Sequence, residues 1–339
     1  MKTFSIIIPV YNGQDVIGPA LDSIYSQGMT NEQFEVICVD DCSPTMDTYN
    51  FLSNYTYNGI HPINLKLFRH EVNKRQGGAR NTALGYAEGE WVLYLDQDDC
   101  FVENSLKELN CALTKHKACD IVMFDYCLHN TTLEKLNIES QIYTRKGIIS
   151  ETISGSLFLR KYPIPWTPWC YAYKKDFLRN NQILFEENVR FEDVDYVIKA
   201  TLNAKLITFI PIDVYKHVDS GNNTSFVGNN KSLIEDLFKI SIRIKNVASD
   251  YMRTDNEAAE AAMAHHTFHY HWLLKSLLWR LPYYDIIKLL ENYKPYLSNK
   301  NSKKLTKLAH NHPCAYATMA QIARPILLAT LWIRNKIRK

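Results

Sequence analysis

No stretch of the chain approaches the ~20 consecutive apolar residues of a membrane-spanning helix, so no span is expected. The eight cysteines (Cys38, Cys42, Cys100, Cys111, Cys119, Cys127, Cys170 and Cys314) form no C-x-x-C pair and follow no regular spacing. Several lie inside apolar runs, which points to reduced, partly buried thiols in a cytosolic chain. The start, Met1-Lys2-Thr3-Phe4, has one basic residue, a short apolar run stopped by Pro9 and no small-residue cleavage site, so no secretory leader is expected. Strong charge of either sign is absent: the net charge is +3, too weak to argue for nucleic acid. The phosphate-binding glycine patterns, the P-loop and G-x-G-x-x-G, are absent too. There is no internal repeat and no low-complexity segment.

What is present is a chain of 339 residues, 46% hydrophobic and 22% charged, enough for a sizeable core and for two or so domains. "FSIIIPVYN" (4–12) and "FEVICVDD" (34–41) read as buried strands, "NLKLFRH" (64–70) as an alternating one, and "WVLYL" (91–95) and "DIVMFDYCLH" (120–129) as two more. Helical spacing fills 15–27, 77–90 and 103–116, and Ser43-Pro44 is expected to open a further helix. Such alternation predicts an α/β fold with a mostly parallel sheet flanked by helices, and ligands beyond the carboxyl ends of its strands. Residues 150–220 are mixed and aromatic-rich, and beyond 230 the pattern is helical to the end.

The chemistry-bearing residues fall at strand ends. Asn12, Asp40-Asp41 and Asp96-Gln97-Asp98-Asp99 each follow a strand and should meet along one edge of the sheet. Carboxylates beside a core are costly without a cation. One reading is a solvated acidic turn capping the helix near Glu103. The other is a Mg²⁺ or Mn²⁺ site: such ions take one or two protein carboxylates and complete their shell with water and substrate phosphates. The second acidic pair favours a site, and without glycine loops the phosphates would be neutralised by metal.

Five segments, "SIIIPVYN", "VICVDDCSPT", "GGARNTAL", "YLDQDD" and "RFEDVDYVIKA", occur in this order over residues 1–220 and together resemble glycosyltransferase family 2, inverting enzymes of GT-A fold that use nucleotide-activated sugars. The resemblance implies a GT-A catalytic domain over 1–225 and a C-terminal helical region over 226–339. It places Pro9, Tyr11 and Asn12 where the first strand meets the nucleotide, and Asp40 at a uracil-type base. Gly77, Ala79, Arg80 and Asn81 match the G-x-ARN segment beside ribose and phosphates; the lesser alternative for Arg80 is a simple pairing with a strand-end carboxylate. Asp96 matches the acid near ribose and metal, and Asp98 the metal ligand. Gln97 joins them in the nucleotide-sugar site, and Asp99 braces the loop or the donor sugar. Cys42 stands where the family usually has Gly, which puts the turn and the role of Asp41 in question.

Acids at Glu192, Asp193 and Asp195 could simply favour the positive end of a helix; the resemblance makes Asp193 the catalytic base, and a sugar hydroxyl needs one. One of Trp166 and Trp169 is expected to face the cleft, with Trp169 assigned to the nucleotide-sugar site. Lys216 or His217, in "KHVDSGNNTS" (216–225), could touch phosphate or metal. In the tail, His265 and His269 have zinc-like spacing among large apolar residues, and a partly buried helix surface is the better reading. The end joins Leu327, Leu328, Leu331 and Trp332 to Arg334, Lys336, Arg338 and Lys339, which suits either a packed terminal helix or an anionic membrane surface contacted by 323–339. The expected activity is transfer from a nucleoside-diphosphate sugar, UDP-sugar favoured, to a glycan or lipid-linked saccharide in surface or capsular polysaccharide synthesis. Its expected place is the cytoplasm, peripheral on the inner membrane face. Alternatives are a sugar nucleotidyltransferase, or a silent sugar-binding or scaffold protein of the same fold.

Overall fold

A computed structural model describes residues 2–130, 142–143, 150–162, 164–219, 231–276, 278–297 and 304–337. The chain divides into two compact units, Met1–Asn223 and Thr224–Lys339.

The first unit is built on a nine-stranded sheet: β1 Phe4–Val10, β2 Phe34–Asp40, β3 Leu65–Arg69, β4 Trp91–Tyr94, β5 Cys100–Phe101, β6 Ile121–Asn130, β7 Ile142–Tyr143, β8 Tyr171–Lys174 and β9 Ile207–Asp219. Their order is β3-β2-β1-β4-β8-β6-β9-β5, with β7 on β6. Every residue of β1, β2 and β4 is buried, as expected for parallel strands covered on both faces. Pro9 lies past the last β1–β4 partner pair, Ile7 with Tyr94, where its missing N–H leaves that ladder intact. Around β1 to β4 the pairing is parallel, as expected. Beyond β4 the sheet becomes mixed: β8 runs antiparallel between β4 and β6, β5 and β7 pair antiparallel, and only β6 with β9 is parallel. The short strand Tyr171–Lys174 follows the helix Gly155–Lys161 and still enters the sheet antiparallel, an orientation that helix–strand alternation did not disclose.

Among the described residues, these helices accompany the sheet: α1 Ile17–Tyr25, α2 Asp47–Ser53, α3 Arg75–Tyr86, α4 Ser105–Lys115, α5 Gly155–Lys161, α6 Lys175–Asn180 and α7 Asp193–Asn203. Ser43-Pro44 does not open α2, which starts three residues later; Ser43 is held instead by Asp40. At the amino ends of the strands, buried Glu35 accepts from Ser5, from the Glu88 and Gly89 amides and from Lys2, and pairs with Lys66. This fixes the end of the sheet opposite the acidic loops.

The second unit is helical: α8 Lys231–Tyr251, α9 Asn256–Ser276, α10 Tyr283–Leu297, α11 Lys304–Asn311 and α12 Pro313–Ile337. Two residues of its histidine cluster are packed into the unit's interior. His266 and His269 are buried, His269 Nδ1 meets Ser241 Oγ at 2.6 Å, and burial pushes the two rings down to about 4 and about 3. Among the described residues no group of three or more potential ligands could hold a metal. No helix among them is long and apolar enough to cross a membrane. The side chains beyond Leu327, including Leu328, Leu331, Trp332, Arg334 and Lys336, lie outside the described residues, as do Arg338 and Lys339.

Gly155 starts α5 where a Cβ would lie 1.6 Å from the Thr201 carbonyl oxygen and 3.0 Å from that of Ala204. Backbone on both sides leaves no room to yield, so Gly155→Ala should destabilise by about 2 kcal/mol or more. Urea unfolding of the two proteins checks this.

Candidate active site

The site lies at the carboxyl ends of β1, β2 and β4, at the switch where the order runs from β1 outward to β2 on one side and β4 on the other. Four consecutive residues in the loop after β4, Asp96 to Asp99, take four different courses. Asp96 accepts from Arg80 Nη2 at 2.7 Å. The Gln97 side-chain amide pairs with both main-chain groups of Tyr11, accepting from its N–H at 2.9 Å and donating to its carbonyl at 3.2 Å. Asp98 is exposed and has no ion-pair partner among the described residues. Asp99 is buried and accepts from Tyr215 Oη at 2.5 Å and from the Val218 amide at 2.7 Å, with His217 Nδ1 3.1 Å from both its oxygens.

Arg80 is the hub. It is 2% exposed, its Nη1 donates to Glu192 Oε1 at 2.7 Å, and its Nε has no partner among the described residues. Burial works against its charge, but Asp96 and Glu192 outweigh that and raise its pKa. The rest of the α3 face serves the same purpose. Asn81 exchanges hydrogen bonds with the Phe185 amide and carbonyl, both at 2.9 Å. At Gly77 a Cβ would sit 2.6 Å from the Glu186 carbonyl oxygen and 3.0 Å from Glu192 Cγ. Positions 77, 80 and 81 share a helix face by their spacing. In this structure that face holds the segment leading into α7, and Arg80 is not open to solvent. The guanidinium thus takes the strand-end carboxylate pairing that was the alternative to a place beside ribose and phosphates, with Glu192 as a second acid.

Asp193 is the first residue of α7. It is partly exposed, but its Oδ1 is buried without a hydrogen-bond partner among the described residues. Desolvation first, and then the charge of Glu192, push its pKa up to about 7. In the acid loop, desolvation followed by Asp99 and Asp96 pushes Asp98 up to about 6, and desolvation also raises Asp96. The donor set suits a hard divalent cation of the kind that keeps most of its shell for water and phosphate: Asp98 is free, Asp96 has one oxygen on Arg80, and Asp99 is closed. Carboxylates held protonated more tightly than usual by their neighbours' charge gain from a cation.

Other expected residues are placed as follows. Tyr11 is 47% exposed, and Asn12 adopts a left-handed φ of 49° with its N–H on Ser43 Oγ. Asp40 is fully buried, with its oxygens on the Ser43 amide and hydroxyl and on Arg69. A base contact at Asp40 is therefore not open in this state. Asp41 is equally committed, to His70 and the Lys74 amide. Trp169 does not face an opening: it is 7% exposed and stacked on Tyr215 at 4.1 Å and on His217 at 5.7 Å, so it backs the Asp99 support. Strand alternation separates the two candidates on β9. His217 reaches Asp99, which raises its pKa, whereas Lys216 lines a separate hollow with Cys100 and Cys127. Residues 220–225 of the same segment lie outside the described residues.

Glu192 and Tyr215 were not foreseen in these roles. Glu192 reads as an ordinary first-turn acid and Tyr215 as one aromatic in an apolar strand. The neighbouring charge of Arg80 and Asp99 is visible only once the chain is folded.

Acids gathered at the carboxyl ends of parallel strands, with a further carboxylate at a helix start tied to them through Arg80 and Glu192, define a class. Residues 5–181 match the profile of Glycosyl transferase family 2, and the chain belongs to that family. Over 273 residues it is 28% identical to the poly(ribitol-phosphate) beta-N-acetylglucosaminyltransferase TarS of Staphylococcus aureus, covering 79% of this chain and 45% of that protein. Over 216 residues it is 32% identical to a poly(ribitol-phosphate) beta-glucosyltransferase of Bacillus spizizenii, covering 60% of this chain and 30% of that one. The chain thus spans less than half the length of these curated relatives. The crystal structure of S. aureus TarS 1-349 in complex with UDP superposes with a TM-score of 0.68 at 23% identity, covering 95% of this chain and 91% of that one, and shows the shared fold.

Cys42 holds a φ of 60°, so the turn after Asp41 keeps the left-handed form that glycine adopts freely. Cys42→Gly should therefore stabilise by up to about 1 kcal/mol, reduced by the greater freedom of the unfolded chain. A melting temperature unchanged or lower than that of the parent would show that the turn is not strained.

Proposed function

We propose that the chain is an inverting glycosyltransferase moving a sugar from a nucleoside-diphosphate donor, a UDP-sugar by preference, to a hydroxyl of a glycan or lipid-linked saccharide in cell-surface polymer synthesis. One observation carries the reading: Asp193 is a partly open carboxylate, unpaired at Oδ1, with a pKa raised to about 7, fixed beside the acid loop through Glu192 and Arg80. Such a group is poised to remove a proton near neutral pH. The family membership and relatives named for β-transfer onto poly(ribitol phosphate) support the reaction class, and a neighbour of the same fold solved with UDP-GlcNAc supports the donor class.

In this reading the nucleoside lies against Tyr11 and Asn12, over the turn that Asp40, Ser43 and Arg69 hold. Asp96 and Asp98 would hold Mn²⁺ or Mg²⁺ beside the diphosphate; a manganese-bound neighbour of the same fold supports that choice. Bound there, the ion supplies positive charge against the leaving diphosphate. Asp193 takes the acceptor hydroxyl proton as the oxygen attacks the anomeric carbon, and a single displacement inverts that centre. Asp99, braced by Tyr215, His217 and Val218, keeps the acid loop in place as negative charge gathers nearby. The catalytic domain, 1–225 in this proposal, is followed by the helical region 226–339, whose basic end (Arg334, Lys336, Arg338, Lys339) supports peripheral attachment to an anionic membrane surface.

Asp193→Asn should keep donor affinity and lose about 10²-fold or more in turnover, read by donor titration and product release; full turnover would remove Asp193 as the base. In the parent, kcat/KM should rise with pH through about 7, because only the ionised form accepts a proton. The stability sign is opposite. The folded state holds this proton more tightly than the unfolded chain, so stability falls as pH rises from about 3.8 to about 7. Asp193→Asn should then melt higher than the parent at pH above 7. Truncation after Gln321 should release the protein from membrane fractions, and unchanged sedimentation would count against attachment.

A further inference from the structure

We infer that Arg80 and Glu192 act as one positioning unit for Asp193: the guanidinium, bonded to Glu192 at 2.7 Å and to Asp96 at 2.7 Å, sets both the place and the charge of the carboxylate next to Glu192. The inference rests on the reading of Asp193 as the base and adds residues that act through it.

The geometry is specific. Arg80 is anchored in α3, and it comes from sequence far from Glu192. Its fork ties the loop after β4 to the start of α7, so the base cannot shift relative to the donor loop without breaking a buried ion pair. The approach to α7 is held at further points by Asn81 on Phe185, by the Asn188 amide on the Lys74 carbonyl at 3.1 Å, and by the Phe185 ring stacked 3.6 Å from that of Tyr196. Phe191, two residues before the base, takes a φ of 58°, a conformation that a bulky residue holds only under external constraint.

The charges are equally specific. The groups acting on Asp193 are Glu192 from its own helix start, Arg80 from α3 and Asp96 from the loop after β4. One cation serves three carboxylates. Glu192 favours the protonated form of Asp193 and Arg80 the ionised form, so the pair sets opposite ends of one balance.

The test uses the full chain. Glu192→Gln keeps an amide oxygen for Arg80 and removes one negative charge. The ascending limb of kcat/KM should move to lower pH by about one unit, with the KM for donor within about twofold of the parent. Glu192→Gln with Arg80→Gln removes both charges and replaces the ion pair with two amides; its limb should return toward that of the parent. The pH dependence of urea unfolding, compared in each background with Asp193→Asn, reads the same titration without substrate. A limb and an unfolding titration both unmoved in Glu192→Gln would overturn the unit, leaving Glu192 as packing only. If the unfolding titration moves while Asp193→Asn retains full turnover, the unit stands and the assignment of the base fails.

Discussion

A single buried cation organises this molecule's chemistry. Arg80 joins the loop after β4 to the start of α7, two elements separated by about a hundred residues of chain. A buried arginine between two acids is stable only while both remain in place. Removing one partner of such a pair typically costs about 3–5 kcal/mol, because a charge is left without compensation. The fork therefore resists small displacements of either loop. It is also outnumbered. With Asp96 and Glu192 on its two ends, its charge offsets only part of what raises the pKa of Asp193, namely desolvation first and then the charge of Glu192.

The acid loop shows how consecutive residues divide one task. Asp96 faces the arginine, Gln97 clips the β1 turn, Asp98 stays open and Asp99 turns inward to Tyr215, His217 and Val218. A solvated acidic turn would leave all its carboxylates in water. Here two of the three are engaged, and the supports behind the buried one include an aromatic stack with Trp169. Asp98 is the residue left exposed among the three.

Much of this was legible before folding. The runs 4–12, 34–41 and 91–95 marked the strands and, to within two residues, their ends, because a parallel strand buried on both faces has no polar alternation to blur its limits. The acids were legible because they sit where such sheets bind ligands. Less legible were the antiparallel placement of β8, a strand of only four residues, and the fate of Arg80 and Trp169. Guanidinium and indole groups serve equally well at a ligand and inside a wall. Local sequence carries no term for the partner a hundred residues away that decides between them. Asp40 shows the same limit: its position was correctly read, while the Arg69 and Ser43 groups that close it off belong to the next strand and turn.

The register of β9 against β6 slips between Phe124 and Tyr126: Phe124 faces Ile210, Asp125 faces Asp213 and Tyr126 faces Tyr215. Downstream of that irregularity, Tyr215 and His217 turn toward Asp99 while Lys216 turns away. Because a strand shows alternate residues to alternate sides, the bulge acts as a phase selector. One residue gained or lost there would exchange an imidazole for an ammonium behind the acid loop without changing a single functional residue. An insertion or deletion at the bulge would thus rewrite the electrostatics behind the acid loop in one step, from a place outside that loop.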